Sequence, residues 1–134
     1  MILLVEDNDD DLELALRAFR SLGAKLQVAR DGSDVLRQLL PEGGDAGLDP
    51  SVVLLDLNTP LVDGFTVLQT LRRDRRTRHL PVVILTSSEE ESDLQRSYEL
   101  GANSYVQKPL RYSEFAQVAR LLARYWMEVN RVPA

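Results

Sequence analysis

The sequence contains no cysteine and a single histidine in 134 residues. The first absence removes disulfide frameworks, thiolate metal sites and cysteine nucleophiles together. The second leaves no partner imidazole for a multi-histidine metal centre. No apolar run approaches the roughly 18–20 residues needed to cross a bilayer. The opening Met1-Ile2-Leu3-Leu4-Val5 is too short, and lacks the basic flank, for a secretory signal. Glycine-rich nucleotide loops are missing, and so are internal repeats and low-complexity tracts. Positive charge is in deficit: 16 Lys and Arg against 21 Asp and Glu give a net charge of −5. That disfavours polyanions, because nucleic-acid binding rests on a clustered basic face. The expectation is one domain over residues 1–134, soluble in the reducing cytoplasm, without membrane or nucleic acid among its partners.

What is present is an alternation of short apolar runs with helical periods. Ile2–Val5, Leu26–Ala29, Val52–Leu55, Pro81–Leu85 and Ser104–Val106 read as strands, too short for buried helices. Between them, apolar residues recur at three- and four-residue steps, as in Leu12, Ala15, Leu16, Phe19 and Leu22. Asp9, Asp10 and Asp11 offer cap oxygens to the first helix and Ser33 to the second, while Gly23 and Gly101 suit helix stops. Pro41 to Pro50 is a loop, and Ser113 opens a last helix reaching about Arg131. Continuous apolar strands flanked by amphipathic helices predict a parallel α/β sheet covered on both faces, doubly wound through right-handed crossovers.

Polar residues collect at the C-terminal ends of these strands. Glu6 and Asp7 follow the first, Asp56 ends the third, Thr86 ends the fourth and Lys108 follows the fifth. Open parallel sheets bind ligands outside those ends, so acids, a hydroxyl and an ammonium converge on one mouth. Crowded carboxylates need a positive partner. Hard oxygen donors without sulfur or clustered imidazole point to Mg²⁺. An oxygen nucleophile with a divalent cation, a hydroxyl and a fixed ammonium suits phosphoryl transfer, with Asp56 as the attacking carboxylate.

Leu3-Leu4-Val5-Glu6-Asp7, Leu55-Asp56-Leu57-Asn58, Pro60-Leu61-Val62-Asp63-Gly64, Leu85-Thr86-Ser87, Gly101-Ala102 and Lys108-Pro109-Leu110 together resemble the receiver domains of two-component response regulators, over nearly the whole chain. The resemblance implies a flavodoxin-like strand order 2-1-3-4-5. It implies that Asp56 takes a phosphoryl group from a phosphohistidine on a sensor histidine kinase, and that output runs through an altered protein-binding surface or a phosphorelay. It makes Asp7, Asp56 and the backbone carbonyl of Asn58 the Mg²⁺ ligands, with Glu6 acting through metal-bound water. The family more often has Asp where Glu6 stands. Thr86 and Lys108 become phosphoryl-binding groups and Tyr105 a switch aromatic, whereas the side chains of Asn58 and Ser88 tune dephosphorylation. The resemblance also implies a cis Lys108–Pro109 bond. Within the family, the Glu-Asp-Asn start and the long last helix are similar to the small regulators paired with bacterial phytochromes.

Other features have plainer readings. Asp9, Asp10 and Asp11 are expected to be cap and solvated charge. The five arginines of Arg72–Arg78 are expected to be a solvated face at a helix end. Asp56-Leu57-Asn58-Thr59 also resembles the nucleophile motif of haloacid-dehalogenase phosphatases, but Asn58 replaces the acid that would protonate the leaving group. The chain is therefore read as no enzyme beyond its own phosphorylation and dephosphorylation. A last helix of residues 113–131 exceeds what the sheet covers, so Tyr125, Trp126 and Val129 are expected to project and form a homodimer seam.

Overall fold

A computed structural model describes residues 1–133. Five strands alternate with five helices: β1 (Ile2–Val5), α1 (Asp9–Arg20), β2 (Leu26–Ala29), α2 (Gly32–Leu39), β3 (Val52–Leu55), α3 (Gly64–Arg73), β4 (Val82–Thr86), α4 (Glu91–Glu99), β5 (Ser104–Gln107) and α5 (Tyr112–Arg124). One 3₁₀ turn, Glu42–Gly44, lies in the loop before β3, and a π-helical turn, Tyr125–Val129, continues α5. The strands form one parallel sheet in the order β2-β1-β3-β4-β5. This is the expected doubly wound, flavodoxin-like arrangement.

Alternation along each strand divides the core in two. Leu3, Val5, Val53, Leu55, Val82 and Ile84 face the apolar sides of α2 and α3, where Val35, Leu39, Val67, Leu68 and Leu71 are fully buried. Ile2, Leu4, Val52, Leu54, Val83 and Leu85 face α1 and α5 through Ala15, Phe19, Phe115 and Ala119. The strands are buried on both faces, which is why they read as unbroken apolar runs. In α4 only Ser97 is buried. No helix among the described residues is long and apolar enough to cross a membrane.

Two helices are capped by neighbours of the residues that sequence alone suggested, and a third is capped by an aspartate that sequence alone did not suggest. The side chain of Asn8, not of Asp9–Asp11, accepts the Asp11 N–H at 3.0 Å; Asp31, not Ser33, accepts the Asp34 N–H at 2.7 Å. Asp63 accepts the Thr66 N–H at 2.9 Å. In each case the short Asx carboxyl or amide three residues before an orphan N–H wins.

The last helix departs further from expectation. Its α-helical part ends at Arg124, and the Asn130 N–H bonds the Tyr125 carbonyl at 2.7 Å, five residues back. Trp126 and Met127, four residues after Leu122 and Ala123, pack on the α1/α5 side of the core, and Tyr125 and Val129 stay exposed. Trp126 therefore does not project as expected.

Register places the functional end. Val5 pairs with Leu55, and Leu55 with Ile84, so Glu6 and Asp56 leave the sheet side by side. Gly64 keeps the start of α3 close to this point: a Cβ there would lie 2.6 Å from the Asp56 carbonyl oxygen and 2.7 Å from the Leu57 Cα. Backbone on both sides leaves no flexible atom to yield. Gly64→Ala is therefore expected to destabilise the fold by about 1–3 kcal/mol, read from the urea midpoint; a loss below about 0.5 kcal/mol would mean that α3 can part from β3 without penalty.

Candidate functional site

The C-terminal ends of the strands form an acidic mouth centred on one ammonium group. Lys108, the residue after β5, is positioned by its own N–H, which donates to the Thr86 carbonyl at 2.7 Å and ties β5 to the end of β4. Its Nζ donates to Asp56 Oδ2 at 2.8 Å, to Asp11 Oδ2 at 3.3 Å and to Glu6 Oε1. The side chains of Lys108, Glu6 and Asp56 are 10%, 4% and 10% exposed, whereas that of Asp11 is 45% exposed. Three hydrogens thus meet three carboxylates from β1, α1 and β3.

Burial alone would pull the Lys108 ammonium down, but its hydrogen bonds to Asp56 and Glu6 outweigh it and raise the lysine above its ordinary value of 10.5. Lysine titration therefore takes nothing from these ion pairs below pH 10.5 and removes their contribution only as pH climbs beyond that. Burial also pushes the Glu6 carboxyl above the usual carboxylate value, with Lys108 offsetting part of the rise. The two shifts pull opposite ways on one ion pair. The Lys108 direction is the firmer, since it has two buried acceptors and Glu6 has only a share of one cation.

The other expected residues surround this centre. Asp56 Oδ1 accepts the Asn58 N–H at 3.1 Å, and Asn58 itself is exposed. Thr86 is fully buried and its Oγ1 accepts the Ser88 N–H at 3.3 Å. The Tyr105 hydroxyl donates to the Ser88 carbonyl at 3.3 Å, with its ring against the α2/α3 side of the core. The Ser88 hydroxyl donates to Asp93 at 2.7 Å, at the start of α4, so it is engaged there and not at the mouth. Asp7 lies exposed outside the lysine's circle. Among the described residues no three acidic or histidine side chains are gathered tightly enough to hold a metal. The convergence of Glu6, Asp7 and Asp56 read from sequence is thus partial. The Lys108–Pro109 bond is trans, since no cis peptide occurs among the described residues. The lysine is aimed inward by its carboxylates and its bond to Thr86, without the expected isomer.

A family model described as the response regulator receiver domain matches residues 2–120. The chain belongs to the response regulator receiver family. Among relatives, it is 43% identical to the probable methanogenesis regulatory protein FilR2 of Methanothrix harundinacea, across 99% of this chain and 87% of that protein. It is 32% identical to response regulator Rcp1 of Synechocystis, across 100% of this chain and 93% of that one. The Mn²⁺-bound structure of Rcp1 superposes with a TM-score of 0.87 over 99% of this chain and 98% of that one. The phosphorylated cyanobacterial phytochrome response regulator RcpA is 33% identical, with a TM-score of 0.89 over 99% of this chain and 97% of that one. The chain is accordingly a phosphoryl-accepting response regulator similar to the phytochrome type.

In this receiver the phosphatase alternative finds no support. Asp56 follows the third strand in chain order, and Thr59 is buried with its hydroxyl committed to the Val62 carbonyl at 2.7 Å. That bond helps pin the loop after Asp56. Leu61 there has φ 69°, and the Val62 N–H bonds the Pro60 carbonyl at 2.9 Å, a γ-turn.

Sequence reasoning missed two members of the site. Asp11 was assigned to solvent; only its place one turn into α1, facing the end of β5, brings it to Lys108. Arg30, after β2, donates to the Asp7 carbonyl at 2.9 Å and to the Asp9 carboxylate, bracing the β1–α1 loop. Its signal, a lone arginine before Asp31-Gly32, was indistinguishable from surface charge. Two arginines of the basic run are structural: Arg72 donates to the Gly101 and Leu80 carbonyls at 2.9 and 2.8 Å, and Arg76 to those of Pro41 and Asp45 at 3.0 and 2.8 Å.

The donor types, carboxylate and carbonyl oxygens, suit a small hard cation, and the single ammonium offsets only one of the two buried acids. Removing that ammonium leaves those acids facing each other. Lys108→Met in EDTA is expected to lose about 3 kcal/mol of stability, and adding Glu6→Gln should return part of it. Urea melts that show no loss, or no recovery, would put the weight of the site elsewhere.

Proposed function

We propose that Asp56 accepts the phosphoryl group, delivered in the cytoplasm from the phosphohistidine of a sensor histidine kinase of phytochrome type. The observation that carries this reading is the Asp56 carboxylate, buried at the mouth and held 2.8 Å from Lys108 Nζ. An Asp56 oxygen attacks phosphorus in line, the P–N bond to the kinase imidazole breaks, and an acyl phosphate forms. Lys108 then turns from carboxylate to phosphoryl oxygen, and the Thr86 hydroxyl, now bonded by Ser88, is the second donor in reach of that oxygen. Asp7, Asp56, the Asn58 carbonyl and, through water, Glu6 would hold Mg²⁺, which supplies neutralising charge to the transferring group. The exposed side chain of Asn58 would tune dephosphorylation at the approach of the hydrolytic water, and Ser88 would join it only on leaving Asp93.

The switch follows from the bonds around Thr86. Thr86 accepts from Ser88 and Tyr105 donates to it, so drawing Thr86 toward a phosphoryl oxygen disturbs both contacts. A population shift of Tyr105 and α4 then alters the surface offered to an output protein or relay partner. Acetyl phosphate with Mg²⁺ is expected to add one phosphoryl mass increment to the wild-type chain and none to Asp56→Asn or in EDTA. An increment that survives either condition would move the acceptor elsewhere.

The last helix supports a homodimer with a revised seam. Leu121, Tyr125 and Val129 recur at four-residue steps and are 70%, 48% and 56% exposed, whereas Trp126 is committed to its own core. A contiguous exposed apolar stripe is the mark of an interface. Light scattering at micromolar concentration is expected to give a dimer that Tyr125→Glu dissociates. A wild type that stays monomeric with and without phosphorylation would refute it.

A further inference from the structure

Asp11 is in the site yet has no part in the chemistry proposed above. The neighbouring acids Asp9 and Asp10 already supply favourable charge to the first turn of α1, and that role needs no contact with Lys108. Asp11, half-exposed, nevertheless reaches Lys108 Nζ at 3.3 Å, beside the two buried carboxylates. A cavity of about 40 Å³ is lined by Glu6, Asp11 and Lys108 together with Leu4, Leu85 and Phe115, and Asp56 is not part of it. The lysine head therefore has both a third acceptor and free space beside it.

Glu6 and Asp56 cannot serve Lys108 and a divalent cation at full strength together, because both cations draw on the same oxygens. The cost of admitting the metal depends on what the ammonium keeps when it gives ground. We propose that Asp11 is a positioning residue for Lys108, an acceptor that holds the ammonium while a divalent cation takes the charge of Glu6 and Asp56. The inference rests on the reading of this mouth as a divalent-cation site.

A double-mutant cycle separates this role from simple negative charge. Mg²⁺ affinity is measured by calorimetry on wild type, Asp11→Asn, Lys108→Met and the double variant. Asp11→Asn is expected to weaken Mg²⁺ binding about threefold, in line with the coupling of a half-exposed ion pair. In the Lys108→Met background the same change is expected to have no measurable effect, and Asp11→Glu should retain wild-type affinity. An equal loss with and without Lys108, or no loss in either, overturns the proposal while leaving the metal site in place. A wild type that binds no Mg²⁺ overturns the site reading itself and this inference with it. The Lys108 ¹⁵Nζ resonance at saturating Mg²⁺ needs no lysine variant: it is expected to be sharp in wild type and exchange-broadened in Asp11→Asn. Equal line widths overturn the role of Asp11 even where Lys108→Met does not fold.

Discussion

The three-way hydrogen bonding of Lys108 is the constraint on which the functional end of this receiver depends. Two carboxylates, each nearly removed from water, stand at the ends of adjacent strands because the β1–β3 register puts them there. Without a cation between them their desolvation and mutual repulsion would oppose the docking of β1 on β3. Lys108 supplies that cation from the far side of the sheet, more than a hundred positions from Glu6 in sequence. The end of β5 is thus tied to β1 and β3 by charge and to β4 by the Thr86 carbonyl. A group transferred to Asp56, as proposed, would enter a place where one ammonium faces the carboxylates of Glu6, Asp11 and Asp56. Any extra anionic oxygen, or any extra cation, forces the ammonium to choose new partners.

This balance also separates what sequence reveals from what it hides. The sheet was legible because strands buried on both faces are uninterrupted apolar runs, and their order followed from the family resemblance. Glu6, Asp56, Thr86 and Lys108 were legible because strand ends are where parallel sheets present chemistry. Asp11 and Arg30 were not, because a helix-start acid and a post-strand arginine look like ordinary surface charge until tertiary packing brings them to the site.

The last helix illustrates a different limit. Heptad-like spacing from Phe115 onward predicts one stripe through Val129, and up to Leu122 it holds, with Phe115, Ala119 and Leu122 buried. Beyond Leu122 the stripe can continue through Tyr125, three residues on, or through Trp126, four residues on, and the structure takes Trp126 together with Met127. Both steps fit one helical face, so spacing alone does not decide which aromatic is core and which is surface. Trp126 becomes part of the fold's own stability. The stripe left for a partner is aliphatic with one tyrosine.

Ser88 is where the site and the rest of the molecule meet. Its N–H bonds the Thr86 hydroxyl, its carbonyl takes the Tyr105 hydroxyl, and its own hydroxyl bonds Asp93 in the first turn of α4. No other residue among those described bonds β4, β5 and α4 through three separate atoms. A pull on Thr86 must therefore stretch, in order, the shortest lever available: the Ser88 backbone, then Tyr105 and Asp93. The element at the end of that lever is also the one with least to lose. Only Ser97 of α4 is buried, while α1, α3 and α5 each anchor three or more residues in the core. Local stability scales with buried apolar contact, so the proposed displacement of Thr86 would be absorbed at α4 before it disturbed the sheet. The tightly bonded mouth and the lightly anchored α4 are complementary: on that proposal the first would localise the chemical event to one carboxylate, and the second would give it a surface on which to register.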